Sequence, residues 1–106
     1  MQQPDGLISV LLDERARQDE RWDAASDLEE YPTPAAIAAL VSIAISEEVA
    51  DADETLQDMA AESLAGIWAK VGRMDHEVYA ALPRPGRSSA EAVLRSRAPH
   101  LLTQRS

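Results

Sequence analysis

Residues 34–51 hold the strongest apolar run of the chain, Pro-Ala-Ala-Ile-Ala-Ala-Leu-Val-Ser-Ile-Ala-Ile-Ser, and close on its densest acidic stretch, Glu47-Glu48-Val49-Ala50-Asp51. Thr33 and Pro34 before it form a strong helix start, because Thr caps the first turn and proline lacks only an N–H that the turn leaves unused. At about 100° per residue, Ile37, Leu40, Val41, Ala44 and Ile45 form one stripe. On the same wheel Glu48 returns to the middle of that stripe, with Asp51 beside it. Two carboxylates then point where a core should be, and burying them ionised requires a cation, a base or water.

The rest of the chain reads as helices around this one. Asp5 caps a first helix of roughly four turns that ends at Trp22. Residues 23–32 are a polar connection closed by Pro32, with Leu28 and Tyr31 pinning it. A break is expected between Asp51 and Thr55, where Thr55 and Asp58 fit a capping box. A third helix over 56–82 carries the stripe Leu56, Ala60, Ser63, Ile67, Val71, Met74 and Val78, with Gly66 and Gly72 inside it. Pro83-Arg84-Pro85-Gly86-Arg87 reads as a stiff linker. The Ser88–Glu91 capping box opens a short helix that runs to Arg97 and is closed by Pro99.

No β-period alternation and no internal repeat occur. The expected fold is an all-α bundle of three main helices plus a short C-terminal one. The chain of 106 residues has no Phe, two Trp and two Tyr, so its core is thin. Small cores are often completed by oligomerisation, and a homo-oligomer, a dimer or larger, is expected.

Charge limits the partners. The formal charge is −9, which argues against direct nucleic-acid binding, because phosphate affinity needs a positive surface. Residues 1–82 hold 5 Lys/Arg against 18 Asp/Glu, whereas residues 83–106 hold 5 Arg against one Glu. The division is thus an acidic helical domain, 1–82, and a basic C-terminal linker and short helix, 83–106. With no cysteine, disulfides and thiolate metal sites are excluded. No stretch reads as a leader or a membrane span, so a cytoplasmic location without membrane contact is expected.

The candidate chemistry is therefore carboxylate chemistry. Carboxylates at i and i+3 present oxygens to one hard cation, and two facing helices complete a magnesium shell that holds a triphosphate and activates water. Glu47, Glu48 and Asp51, followed by Asp53, Glu54, Asp58 and Glu62, form the constellation to weigh. Lys70 and Arg73 are the cations placed to contact phosphates. His76 and His100 stand apart and read as surface residues; Trp68 and Met74 read as core or interface.

Glu47-Glu48-Val49-Ala50-Asp51 resembles the Glu-Glu-x-x-Glu/Asp element of the MazG-like all-α nucleoside triphosphate pyrophosphohydrolases. The stretch from Asp13 to Trp22 is similar to a Glu-Arg-x-Arg-Gln-x-x-Lys-Trp segment of small phage and bacterial proteins near that group. Residues 62–75 resemble their last core helix. The resemblance implies a magnesium-dependent, oligomeric hydrolase that splits nucleoside triphosphates into monophosphate and pyrophosphate. It carries the first ligand pair to Glu48 and Asp51, with Glu47 as the candidate catalytic carboxylate. The second pair falls on Met59 and Glu62, with Asp58 adjacent. Two other readings need no metal: an acidic inhibitor that occupies the nucleic-acid channel of a basic protein partner, as anti-restriction and anti-CRISPR proteins do, and a plain helical oligomerisation module. A hydrolase needs its carboxylates converging in a pocket. A mimic needs them spread over an exposed face.

Overall fold

A computed structural model describes residues 4–103, and among these it is helical throughout, with no strand. The organising element is the helix α5, Glu54–Val71, buried almost all the way round through Leu56, Gln57, Ala60, Ala61, Ser63, Leu64, Ala65, Gly66, Ile67 and Trp68. A helix apolar on every side belongs at the centre of its fold. Around it pack α2, Gln18–Asp27; α3, Pro34–Ala44; α4, Glu47–Ala52; and α7, Arg84–Arg97. The helix α1, Asp5–Leu12, lies against α2 and α3, and two short helices, α6 (His76–Ala81) and α8 (His100–Thr103), flank α7.

The first helix is shorter than its pattern predicts. It stops at Leu12, because the Asp13 carboxylate takes the backbone N–H of Arg15 at 2.9 Å and turns the chain. An Asp that bonds the backbone two residues on offers an alternative to the next helical turn. The carbonyl of Leu11 freed by this break accepts from Arg21 Nε at 3.0 Å. The polar connection expected over 23–32 is instead mostly ordered helix. α2 runs to Asp27 and tightens into a 3-10 turn, Leu28–Glu30, with Leu28 fully buried as its anchor.

The start of α3 follows the sequence: Thr33 Oγ1 accepts from Ala36 N at 3.2 Å, and Pro34 opens the helix. Its end does not. The helix stops at Ala44, Ser46 becomes extended and caps α4 through Val49 N at 3.1 Å, and Gln57 Nε2 donates to the buried carbonyl of Ala44 at 2.8 Å. A second break falls within the expected interval, but its cap is Asp53, whose carboxylate accepts from Leu56 N at 3.1 Å, in place of Thr55.

The expected long third helix is divided at Gly72, which adopts a left-handed φ of 77° and accepts no side chain without strain. Gly66 is a close-approach glycine: a Cβ there would meet the Glu29 side chain. The expected linker 83–87 is the first turn of α7, because Pro85 lies at a position that needs no donor. Ser88 therefore sits inside a helix and caps nothing. α7 ends at Arg97 before Pro99, as read from the sequence, and buries Gly86, Ala90 and Leu94. Arg105, counted in the basic tail, lies outside the described residues.

Candidate functional site

The break at Ser46 removes the burial problem set by residues 34–51. α4 does not continue α3, so Glu47, Glu48 and Asp51 leave the apolar stripe and are all exposed. Glu48 lines an open cleft of about 290 Å³ with Glu14, Arg21, Val49, Ala52 and Asp53. Asp53 belongs to the scaffold, holding the start of α5 and accepting from Trp22 Nε1 at 3.1 and 3.2 Å. Trp22 packs against the core and ties α2 to the start of α5.

The second half of the expected ligand set lies elsewhere. Asp58 is half-buried and accepts a hydrogen bond from Ser89 Oγ of α7. Glu62, one turn on, has its carboxyl held above the ordinary range by partial burial, then by the charges of Asp58 and Glu29. Glu29 lies over Gly66 and meets two cations, Arg97 Nη1 at 3.1 Å and Lys70 Nζ at 3.6 Å. Lys70 also donates to the Glu29 carbonyl and approaches Glu30 at 3.8 Å. It serves as a staple between α5 and the 3-10 turn.

Arg73 stands in a third environment. It borders an open apolar cleft of about 420 Å³ formed by Ile37, Trp68, Val71 and Met74, with Asp75 beside it. The structure thus brings Asp58 and Glu62 together with Glu29 and Lys70, but places Glu48 with Glu14 and Asp53, and Arg73 apart from both. Among the described residues no group of three or more His, Asp or Glu side chains is arranged to hold a metal ion. Of the expected ligands, Asp58 is engaged by Ser89, while Glu48, Asp51 and Glu62 are exposed.

The raised carboxyl of Glu62 gives a pH signature. A group that binds its proton more tightly when folded contributes stability fully present below its unfolded value, about 4.5, and lost as pH rises through the folded value. At neutral pH the ionised Glu62 is therefore slightly unfavourable beside Asp58 and Glu29. Thermal melts should show Glu62→Gln raising Tm modestly at pH 7 and the difference closing below pH 4.5.

Sequence reasoning overlooked one surface. A first helix ending at Trp22 leaves Asp23 and Asp27 in a connection. In α2 they continue from Asp19 at i+4 and i+8 as an exposed acidic ridge, with Glu20 beside it. The i,i+4 recurrence of acidic residues was the available signal. Among the described residues Asp19 alone on this ridge has an ion pair, with Arg17 at 3.0 Å.

No protein-family model, curated protein or solved structure matches this chain. Among the described residues no helix is long and apolar enough to cross a membrane.

Proposed function

We propose that this chain is a non-enzymatic acidic binding module that occupies the basic, nucleic-acid-binding surface of another protein. One observation carries the reading: every Asp and Glu is exposed except Glu29, Asp53, Asp58 and Glu91. Those four are engaged internally, with Arg97 and Lys70, with Trp22, with Ser89 and with Arg95 respectively. Asp13 and Asp75 bond nearby backbone N–H groups at the surface, and the remaining carboxylates also face solvent, which suits a surface that presents negative charge without organising a reaction. The ridge Asp19, Asp23, Asp27 on α2 and the trio Glu47, Glu48, Asp51 on α4 are its densest parts.

Complementary potentials of this kind steer association and lose strength with salt, since the screening length is about 8 Å at physiological ionic strength. The protein should displace duplex DNA from core histones, used as a basic probe, in fluorescence anisotropy at low salt, and progressively fail as salt rises. No displacement at the lowest salt overturns the reading. So does pyrophosphate release from a nucleoside triphosphate in magnesium that Glu48→Gln abolishes, which would restore the hydrolase.

A further inference from the structure

Residues 69–81 join two buried anchors and bury nothing themselves. Trp68, near the end of α5, is 4% exposed and Leu82, after α6, is 1% exposed, whereas every residue between them is half-buried or exposed. The helix α6 has six residues, none of them buried. A helix that short does not hold itself together, because its nucleus costs more than so few backbone bonds recover. At one end Gly72 takes the left-handed φ of 77°, with nothing within 4 Å of the place a Cβ would occupy. At the other end Leu82 is extended, with ψ 132°, before Pro83. The segment is a strap with a joint at each end.

Polar contacts from α7 hold this strap down. Arg87 Nη2 donates to the Ala80 carbonyl at 2.9 Å and to the Leu82 carbonyl at 3.0 Å, closing the end of α6. The Tyr79 hydroxyl hydrogen-bonds the Glu91 carboxylate, which Arg95 in turn holds in place. Burial, then the charge of Glu91, raises the pKa of the phenol, so the hydroxyl keeps the proton it donates. The start of α6 is capped locally by Asp75, which accepts from Glu77 N and Val78 N, both at 3.1 Å. Met74, Val78 and Tyr79 add partly buried contacts with the core.

We propose that residues 72–81 open as one unit about Gly72 and Leu82 while the bundle stays folded, and that the Tyr79–Glu91 and Arg87 bonds set how often this happens. Segments with few buried apolar contacts open at a free energy well below that of global unfolding. The strap forms one wall of the apolar cleft. When it opens, Met74 and Asp75 leave, while Ile37, Trp68 and Val71 stay on α3 and α5 as a wider apolar face. The outer side of α7 thereby controls exposure of the Trp68 face. Neither α2 nor α4 takes part, so the device stands independently of the proposed binding surface.

Hydrogen exchange of the full chain, read at single amides by nuclear magnetic resonance, measures the opening. The amides of Tyr79 and Leu82, bonded to the Asp75 and Tyr79 carbonyls, should exchange roughly a hundredfold faster than those of residues 60–67 in α5. Low urea should leave the strap rates unchanged and accelerate those of α5, because only global unfolding exposes much surface. Tyr79→Phe keeps the ring and removes the hydroxyl. It should speed exchange in the strap about fivefold, the worth of one such hydrogen bond, and leave α5 unmoved. The variant should also bind more 1-anilinonaphthalene-8-sulfonate, a dye that reports exposed apolar surface, and adding Val71→Asp should remove that gain. Strap amides with the urea dependence of α5, a Tyr79→Phe protein whose strap rates are unmoved or whose two sets of amides accelerate equally, or one without the added dye binding each overturns the proposal. A dye gain that survives Val71→Asp overturns it too.

Discussion

Leu94→Ala should lower the unfolding free energy by about 3 kcal/mol and leave one cooperative transition in urea. Leu94 is fully buried on α7, and truncating a buried leucine removes its transfer free energy and leaves a cavity, about 2–5 kcal/mol together. The size of the effect tests what the basic C-terminal segment does. A short helix on a loose linker would lose only its own order, with the acidic body melting as before. Here α7 packs along α5, the helix that every major element shares. Its contacts include buried Ala90 and Leu94, the Ser89–Asp58 bond and the Arg97–Glu29 pair. Loosening it removes cover from the centre of the core. Urea unfolding followed by circular dichroism and by tryptophan fluorescence should coincide in midpoint, both shifted. An early separate transition, with the main one unmoved, would contradict this.

Gly86→Ala is the second substitution with a large expected cost, about 2 kcal/mol. A Cβ at Gly86 would lie 2.1 Å from Gln57 Nε2 and 2.8 Å from its Cδ. Gln57 is fully buried and is held by its bond to the Ala44 carbonyl, so it has nowhere to retreat. Moving it would orphan the last carbonyl of α3, and buried polar groups without partners are costly. The helix preference of alanine over glycine, about 1 kcal/mol, offsets part of the clash. Combining Gly86→Ala with Gln57→Ala should therefore cost less than the sum of the two single variants. Chemical denaturation of the four proteins in a double-mutant cycle measures that coupling. Strict additivity would mean that the two residues do not meet.

The same joint explains what could be read from the sequence and what could not. The start of α3 was legible because Thr33 and Pro34 act locally: a cap and a missing donor need no distant partner. So was the end of α7 before Pro99. The division of residues 34–51 was not legible, because it depends on Gln57 reaching back across thirteen positions to take the Ala44 carbonyl. The break after Leu12 likewise relies on Arg21 to satisfy Leu11. Pro-Arg-Pro-Gly looked like a linker because proline and glycine punctuate loops, whereas Pro85 here opens a helix and Gly86 admits a buried neighbour.

For the candidate site the consequences are larger. Once α4 is rotated out of the line of α3, Glu48 and Asp51 need no cation, and the suspicion of a metal site loses its physical motive. The ridge on α2 was hidden by the opposite error, a helix ended too early at Trp22. Asp19, Asp23 and Asp27 become neighbours only when the helix continues past it.

That ridge allows a direct comparison of patch against bulk charge. Asp19→Asn, Asp23→Asn and Asp27→Asn together remove three charges from one face. Asp5→Asn, Glu54→Gln and Glu77→Gln remove three exposed charges from other elements. The competition of each protein with duplex DNA for core histones should be measured at one fixed salt concentration. The ridge variant should lose about tenfold in affinity, since exposed pairs are worth a few tenths of a kcal/mol to about 1 kcal/mol each and 1.4 kcal/mol is a factor of ten. The scattered variant should stay close to the unaltered protein. Equal losses in the two variants would contradict an organised acidic interface, because bulk charge alone would then account for the binding.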